Sequence, residues 1–461
     1  MLLPRIICAA ASWAVGTFLD VERGGPPLPD GPVLLVANHP NALVDPLVVF
    51  RTAGRVTRPL SKAPLFGQAL VGTVLRGLGG LPVYRRQDDP ALVHLNEGTF
   101  DAAIDALRRG EAVQIYPEGR SHSEPSLVEI RTGAARIALM AEERSHWSLG
   151  LRVVPVGLTY ARKHLFRGRV VAAVGRGFEV AEYREAYEAK PQNTVRALTD
   201  RIRSVLESVT VNVESPDDRA LIEVAERIYA REKRLGRRGG GTPLAERLPR
   251  LQAFAAGVRW LRAYDPHAYE RLRHSIRRYL RYLTVLGAGE GDIPTRYRPA
   301  AVLRYALGQT ALLALVLPVA MVGLAFWAVP VVLTRKVHPL FRPKLDQIAT
   351  YKLGLAMIVF PLWLVLATMG AWLAFGAGAA AALTFGGPLA GLATIAWRER
   401  QSRVRENFRV FRRSVLRGHG RERLAAQRAH LASEFERIAA LMAPTPEREP
   451  TSSPPPPSPA A

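Results

Sequence analysis

Cysteine is almost absent from this chain of 461 residues, in which Cys8 is the only one. A single thiol excludes an intramolecular disulfide, a zinc site built on cysteines and a redox-active thiol pair. The shortage is typical of proteins that face a reducing compartment. The sequence also lacks the residue patterns of metal sites and bound cofactors, so we expect neither a metal nor a cofactor.

Acidic residues are scarce as well: 40 Asp and Glu stand against 63 Lys and Arg, which gives a formal net charge of +23 at pH 7. Such an excess repels itself unless an anionic partner offsets it, and lipid phosphate, nucleic acid and acidic protein all qualify. Because no nucleic-acid recognition motif accompanies the charge, we expect no nucleic acid and favour anionic membrane lipid.

The N-terminal segment 1–30 contains an apolar run from Ile6 to Leu19 that follows Arg5. A short signal peptide is one interpretation of this run. The run is too short to span a bilayer comfortably, and it leads directly to Asp20 and Glu22. We therefore predict an N-terminal helix that lies at a membrane interface or covers the first domain.

Residues 31–210 alternate short apolar runs with amphipathic stretches, and this pattern predicts an α/β domain, a sheet flanked by helices. The predicted strands are 33–37, 80–84, 112–116 and 153–160, and the predicted helices are 93–108 and 131–143. Polar residues follow several of these strands. Open α/β sheets bind their ligands at the carboxyl ends of the strands, so we expect a site there.

Charged helical segments are predicted after this domain. Residues 211–300 form a basic helical region, interrupted by a glycine-rich linker at 236–241. Its arginines alternate with aromatic residues, which fits either a solvated helix face or a face that contacts anionic lipid. Residues 401–442 predict a cytoplasmic amphipathic helix, and residues 443–461, rich in Pro and Ser, a disordered tail.

The region 301–400 contains two long stretches, 305–334 and 353–397, without a charged side chain. The first is long enough to cross a hydrocarbon core of about 30 Å, and the second is long enough to cross it twice. For the second, we predict a hairpin that turns between 375 and 387. Since Lys352 precedes it and Arg398 follows it, a hairpin with both ends in the cytoplasm satisfies the positive-inside rule.

The first apolar stretch has basic residues at both ends, so a single crossing would place positive charge on both sides of the membrane. Pro318 and Pro330 lie inside it. Two prolines can bend the stretch into a re-entrant shape that returns to the same face. The sequence therefore predicts either a transmembrane or a re-entrant helix here.

A histidine and an aspartate follow the first predicted strand, in the segment Asn38-His39-Pro40-Asn41-Ala42-Leu43-Val44-Asp45. Transfer of an acyl group to an alcohol needs a base for the hydroxyl proton, and imidazole titrates near the working pH. A carboxylate on the opposite ring nitrogen would hold the useful tautomer. Because one histidine in such a loop is more often structural, His39 and Asp45 alone do not define a site.

Two further motifs follow later strands, Gly80-Leu81-Pro82-Val83-Tyr84-Arg85 and Pro117-Glu118-Gly119-Arg120. A phosphate-bearing acceptor needs guanidinium groups, which bind its oxygens in a bidentate fork, and a glycine that lets the backbone come close. Arg85 and Arg120 supply the first, and Gly119 supplies the second. Glu118 fits either an ordinary loop ion pair or the same pocket, and its place after a strand favours the pocket.

Together these blocks, with a strand that carries Pro155, resemble the signature of the lysophospholipid acyltransferase superfamily of glycerolipid acyltransferases. The resemblance covers roughly residues 30–180. It implies that His39 is the base and that Asp45 orients it. It further implies that the acceptor phosphate site is shaped by Arg85, Glu118, Gly119 and Arg120, with Pro155 near the pocket.

Two departures from the common signature point to one branch of the superfamily. Five residues separate His39 from Asp45, where four are common, and Arg120 stands where threonine is common. Both variants resemble the fungal-type glycerol-3-phosphate and dihydroxyacetone-phosphate acyltransferases. The extra residue between His39 and Asp45 makes the geometry of that pair a question for the structure.

The resemblance implies an O-acyltransferase of phospholipid biosynthesis at a membrane, with its active site on the cytoplasmic face. The donor would be an acyl thioester, either acyl-CoA or acyl-carrier protein, and the acceptor a phosphorylated glycerol of the glycerol-3-phosphate type. Direct attack on the thioester would need no covalent intermediate. The alternatives are a 1-acylglycerol-3-phosphate (lysophosphatidate) acyltransferase and a non-catalytic membrane lipid-binding protein.

Overall fold

The computed structural model describes residues 2–85, 90–161, 163, 165–233, 235, 243–285, 299–416 and 420–442, so the predicted linker 236–241 and tail 443–461 lie outside it. The strands of the described residues are β1 Leu19–Gly24, β2 Val33–Ala37, β3 Thr57–Lys62, β4 Leu81–Val83, β5 Ala112–Ile115, β6 Arg152–Ala161, β7 Gly168–Val174 and β8 Phe178–Glu179. The α-helices are α1 Leu2–Phe18, α2 Val44–Ala53, α3 Ala63–Phe66, α4 Ala69–Gly77, α5 Asn96–Arg108, α6 Gly133–Glu143, α7 Arg184–Ala189, α8 Pro191–Val209, α9 Pro216–Glu232, α10 Leu244–Tyr264, α11 Pro266–Val285, α12 Pro299–Val337, α13 Ile348–Phe375, α14 Ala377–Leu416 and α15 Gly420–Met442.

The strands form one sheet in the order β1-β7-β6-β2-β5-β3-β4, with β8 paired to β6. The central strand β2 runs parallel to both of its neighbours, β5 and β6. β3 and β4 continue the parallel half, whereas β7 and β8 pair antiparallel with β6. The carboxyl ends of β2 to β6 therefore meet at one edge of the sheet.

Helices cover both faces of this sheet, and β2 connects the two apolar layers. Leu34 and Val36 point into the layer under α5, α6 and α8, whereas Val33 and Leu35 point into the layer under α1 and α2. All four side chains are completely buried. Each stabilises the fold by about 1.5–3 kcal/mol relative to exposure, which explains why β2 is a continuous apolar run.

The predicted α/β fold is confirmed, and the four predicted strands correspond to β2, β4, β5 and β6. The helix predicted for 1–30 is wrong beyond Phe18, because β1 begins at Leu19 and pairs parallel with β7. This strand was missed because it lies at the sheet edge and carries alternating charge, as at Glu22. β3 and β7 were missed as well, since Arg58 and Arg169 interrupt their apolar pattern.

A separate apolar core lies among α9, α10, α11 and α15 and continues onto β7. In α11, Tyr269 and Tyr279 are buried in this core, so aromatic residues that alternate with arginines here fill an interior. The outer face of α11 exposes four arginines, Arg271, Arg277, Arg278 and Arg281. The helix is thus amphipathic, with its basic side directed outward.

Three helices, α12, α13 and α14, are long and apolar enough to cross a membrane. α13 ends at Gly376, whose φ of +84° makes the reversal into α14 possible, within the predicted turn. The hydroxyl oxygens of Thr368 and Thr384 lie 3.3 Å apart across the two helices. α13 and α14 therefore form an antiparallel hairpin whose base contains the start of α13 and the segment of α14 near residue 400.

Both ends of α12 lie at the base of this hairpin. Near the start of α12, Gln309 Oε1 accepts a hydrogen bond of 2.7 Å from Arg400 Nε. Just after its end, the ring of Phe341 lies 5.4 Å from that of Tyr351, in the first turn of α13. A straight helix from 309 to 341 would be roughly 48 Å long at 1.5 Å per residue, so α12 cannot be straight.

The middle of α12 lies further from the base of the hairpin, towards its turn. There, Trp327 Nε1 donates a hydrogen bond of 2.9 Å to the Gly387 carbonyl. α12 therefore rises along α14 and returns along α13. Pro318 and Pro330 lie within the helix on either side of this contact. Each proline removes a backbone hydrogen bond and favours a bend, which is the physical basis of the returning path.

Candidate active site

The candidate site is built where parallel strands end. His39 lies two residues after β2, Arg85 two after β4, Glu118 three after β5 and Lys163 two after β6. Because these strands run in the same direction, their following loops meet at one sheet edge. The structure thus brings together residues that are up to 124 positions apart in the chain.

The loop between β2 and α2 is fixed at both ends. Asn38 Oδ1 accepts a hydrogen bond of 2.6 Å from the Leu158 amide, and its Nδ2 donates one of 3.0 Å to the Leu158 carbonyl. Ala42 adopts a left-handed conformation with φ +42°, which is unusual for a residue with a Cβ. The Asn41 carbonyl also accepts a hydrogen bond from the Val44 amide, so the chain turns between His39 and Asp45.

His39 and Asp45 form a direct pair: the ring Nδ1 donates a hydrogen bond of 2.9 Å to Asp45 Oδ2. Since the carboxylate only accepts, the proton is assigned to Nδ1, and Nε2 is left as an acceptor. The His39 side chain is 18% exposed, whereas Asp45 is completely buried. The imidazole is therefore both oriented and reachable, as a general base requires.

Asp45 receives two further hydrogen bonds, which hold its charge in the interior. The Asn41 amide donates to Oδ2 at 2.7 Å, and the Tyr160 hydroxyl donates to Oδ1 at 2.6 Å. Burial and the Asp45 charge raise the pKa of the Tyr160 phenol well above its usual value, so it stays protonated and remains a donor. Such bonding compensates a buried carboxylate that would otherwise be costly.

Tyr116 forms the other side of the His39 site. Its ring stacks on the imidazole at a centroid distance of 4.3 Å and an interplanar angle of 25°. Burial and the nearby charge of Asp45 raise the pKa of the Tyr116 hydroxyl well above its usual value. Stacking restricts rotation of the imidazole, so its Nε2 keeps one direction.

Glu118 holds the backbone of the loop that contains His39. Its Oε1 accepts a hydrogen bond of 2.8 Å from the His39 amide, and its Oε2 is bonded by His122 Nε2 and more weakly by the Val128 amide at 3.4 Å. The amide of Glu124 donates to His122 Nδ1, which places the His122 proton on Nε2. Glu118 is only 2% exposed, so it shapes the site from behind its surface.

Arg85 reaches the loop in which Gly119 and Arg120 follow Glu118. An Arg85 guanidinium nitrogen donates a hydrogen bond of 2.8 Å to the Gly119 carbonyl. Gly119 has φ +69°, and a Cβ there would lie 2.9 Å from the Arg131 side chain. Arg120 is exposed, and no described residue accepts a hydrogen bond from its side chain. Positive charge and an open backbone are thus combined, as an anion requires.

Pro155 lies further from the surface. It is buried within β6, paired with Val36 of β2. Its ring is 2.8 Å from the point where a Cβ on Gly175 would be, so it packs on the antiparallel side of the sheet. Pro155 belongs to the same strand, β6, that carries Tyr160.

Sequence reasoning missed several residues of the site, namely Tyr116, Tyr160, His122, Lys163 and Asp346. Tyr160 and Tyr116 were visible only as the ends of predicted strands. Asp346 lies 225 residues from its partner Ser121, and no local pattern connects the two. A His-Asp pair with a partly exposed imidazole, together with Arg85 at the loop that contains Arg120, is suited to proton abstraction from an anionic alcohol.

Comparison with known proteins agrees with that chemistry. The family named Acyltransferase matches residues 21–159 of this chain. Residues 21–159 thus match an acyltransferase domain, and the chain is similar to fungal glycerol-3-phosphate acyltransferases. The resemblance read from the sequence is thereby confirmed.

The curated relatives are much longer than the segments that match this chain. The chain is 38% identical over 135 residues to glycerol-3-phosphate O-acyltransferase 2 of Saccharomyces cerevisiae, which is 29% of this chain and 18% of that protein. It is 26% identical over 285 residues to an uncharacterized acyltransferase of Schizosaccharomyces pombe, 43% of this chain and 42% of that protein. The chain thus spans less than half the length of the curated relatives it matches.

A solved structure also resembles the chain, the 1-acyl-sn-glycerophosphate acyltransferase of Thermotoga maritima. It is 18% identical, with a TM-score of 0.31, and the match covers 43% of this chain and 77% of that one. The fold is defined by the strand order of the sheet in this chain.

Proposed function

We propose that the protein transfers a fatty acyl group from an acyl thioester to a hydroxyl of glycerol-3-phosphate. His39 Nε2 takes the proton of the attacking hydroxyl while the hydroxyl oxygen forms a bond to the thioester carbonyl carbon. The carbon–sulfur bond then breaks, and the imidazolium returns its proton to the departing thiolate. Asp45 stabilises the imidazolium throughout, and no acyl-enzyme forms.

The observation that carries this proposal is the 2.9 Å bond between His39 Nδ1 and Asp45 Oδ2, with the ring still accessible. It leaves one nitrogen unprotonated at the surface of the site. General-base catalysis of this kind contributes about 10² to 10⁴ in rate. The intact pair also argues against a non-catalytic lipid-binding protein.

Arg85 and Arg120 are proposed to bind the acceptor phosphate, with Gly119 allowing its close approach. Arginine suits this role because its guanidinium binds two phosphate oxygens at once. The similarity of the domain to yeast glycerol-3-phosphate O-acyltransferases supports glycerol-3-phosphate as the acceptor. The donor thioester, acyl-CoA or acyl-carrier protein, would enter from the opposite side of His39.

We further propose that the enzyme is anchored in the membrane from one face. α11, before the apolar helices, and α15, after them, belong to the same helical core, so the chain leaves and returns on one side. An even number of crossings follows, and we assign two to α13 and α14 and a re-entrant path to α12. Arg304, Arg335, Lys352 and Arg398 then share one face, which the positive-inside rule identifies as cytoplasmic.

An acceptor panel tests the reaction. Isolated membranes containing the protein are given a radiolabelled acyl thioester with glycerol-3-phosphate, dihydroxyacetone phosphate or lysophosphatidate, each alone. We expect the highest kcat/KM with glycerol-3-phosphate. Preference for lysophosphatidate would transfer the assignment to that acceptor, and no product with any of the three would leave the lipid-binding alternative.

His39→Ala tests the mechanism. Turnover should fall by about 10² to 10⁴, because the general base is lost while substrate binding remains. His267→Ala is the matched control, since His267 is exposed on α11 and far from the site in sequence and fold. Wild-type turnover in the His39 variant would refute the mechanism.

A further inference from the structure

The connector between α12 and α13, defined as residues 338–347, reaches the candidate site. Ser121 Oγ donates a hydrogen bond of 2.6 Å to Asp346 Oδ2. Ser121 directly follows Arg120, so the connector touches the loop to which the acceptor phosphate is assigned. Asp346 is only 6% exposed, although it lies in a connector between two apolar helices.

The connector is held firmly where it meets the site. Three residues after Asp346, Ala349 is completely buried, and Leu353 is 7% exposed. Both belong to the apolar cluster that includes Val44 and Leu47 of α2, the helix that carries Asp45. Because the residues that follow Asp346 are buried in this cluster, they hold the Asp346 carboxylate next to Ser121.

Lys163 contacts the same loop as Asp346. We call Ser121, Asp346 and Lys163 together the junction. Its ammonium donates hydrogen bonds of 2.7 Å to the Pro40 carbonyl and 2.8 Å to the Ser123 hydroxyl. Pro40 follows His39, and Ser123 lies two residues beyond Ser121. Lys163 therefore ties the His39 loop to the loop that bears Gly119 and Arg120.

The charges of the junction support one another. Burial lowers the pKa of the Lys163 ammonium, while the carboxylates of Asp45 and Asp346 act in the opposite direction. Two buried carboxylates and one half-buried ammonium thus partly compensate each other. Removal of the Asp346 charge would leave Lys163 with Asp45 as its principal counter-charge.

We propose that Asp346 is a positioning residue of the active site, which holds the phosphate-binding loop through Ser121 and so fixes Arg120 and Gly119 relative to His39. This inference rests on the proposed function. It assigns to the membrane region a structural part of the active site in addition to anchoring. The returning path of α12 brings the connector to the face on which the site lies.

The test compares Asp346→Ala, Ser121→Ala and the double variant with the wild type, using KM for acceptor, KM for donor and the thermal midpoint. We expect each single variant to raise the KM for glycerol-3-phosphate about tenfold, the effect of losing one hydrogen bond to a charged group. The donor KM should stay unchanged. The double variant should be no worse than the worse single variant, because both changes remove the same contact.

Lys344→Ala is the matched control, since Lys344 lies in the same connector but is exposed. A residue that only supported the fold would lower the thermal midpoint and the active fraction and leave both KM values unchanged. That result, or additive effects in the double variant, would overturn the proposal. If Asp346→Ala does not fold, Ser121→Ala decides, because it removes only a hydroxyl.

Failure of the proposed function would look different. A wild-type protein without product from glycerol-3-phosphate would contradict the assigned reaction before any variant is compared. Active wild type with unchanged acceptor KM in both single variants would contradict only the role of Asp346.

Discussion

The Tyr160 hydroxyl donates a 2.6 Å hydrogen bond to Asp45 Oδ1, the oxygen opposite to the one that accepts from His39. The two oxygens of one carboxylate are thus bound by a strand residue and by the candidate base. Tyr160 thereby fixes the angle at which Asp45 meets the imidazole. Loss of this contact should affect catalysis through the position of Asp45.

Tyr160→Phe should lower kcat about tenfold, since a hydrogen bond to a charged group contributes about 1.5–3 kcal/mol. The acceptor KM should change little, because the arginines are unaffected. Steady-state kinetics on purified membranes measures both. Tyr264→Phe is the control, as Tyr264 is 75% exposed. Equal kcat in the two variants would contradict a role for Tyr160 in orienting Asp45.

Gly119→Ala tests the backbone of the loop to which phosphate binding is assigned by proposal. Gly119 and Gly110 share nearly the same left-handed conformation, φ +69° and +75°, but a Cβ meets Arg131 at Gly119 and nothing within 4 Å at Gly110. Both alanine variants should lose roughly 1–2 kcal/mol of stability from the backbone alone. Only Gly119→Ala should also raise the acceptor KM, by displacing Arg131. Thermal unfolding and KM measurements separate the two effects, and equal acceptor KM values would contradict the assignment of this loop.

The sequence alone indicates candidate site residues that directly follow a predicted strand. His39, Arg85 and Glu118 each come after an apolar run, and buried parallel strands bring the loops at their carboxyl ends to one edge of the sheet. Tyr160 was missed because its contact depends on how β6 lies beside the loop after β2. A strand pattern gives the face on which a side chain lies, but the neighbouring strand is set by the topology of the whole sheet.

Asp346 was beyond sequence reasoning for a different reason. Its partner Ser121 is 225 residues away, and the start of α13 that follows Asp346 is held in the apolar cluster to which α1 and α2 also belong. The path of α12 could be predicted in part from the sequence. Basic residues at both ends and two internal prolines already indicated a re-entrant shape, and the contacts of Gln309 and Phe341 favour it over a straight span.

Close packing of α12 on α14 provides a stability test of that path. A Cβ on Gly323 would lie 2.1 Å from the Ala390 carbonyl oxygen, too close to be accepted without separating the helices. Gly323→Ala should therefore destabilise the protein in detergent by about 1–3 kcal/mol, the usual cost of overpacking. Gly308→Ala, in the same helix with nothing within 4 Å, should be neutral or slightly stabilising. Equal thermal midpoints for the two variants would contradict the packing of α12 on α14.

The one-sided anchoring predicts a specific labelling pattern in sealed vesicles. In a Cys8→Ser background, single cysteines replace Arg304 at the start of α12, Lys344 in the connector and Gly378 at the hairpin turn. A membrane-impermeant maleimide should label Arg304→Cys and Lys344→Cys on the same face and Gly378→Cys on the opposite face. The reason is that α12 returns to the face from which it starts, whereas α13 and α14 each cross once. Labelling of Arg304→Cys and Lys344→Cys on opposite faces would mean that α12 crosses the membrane. The proposed anchoring from one face would then be wrong.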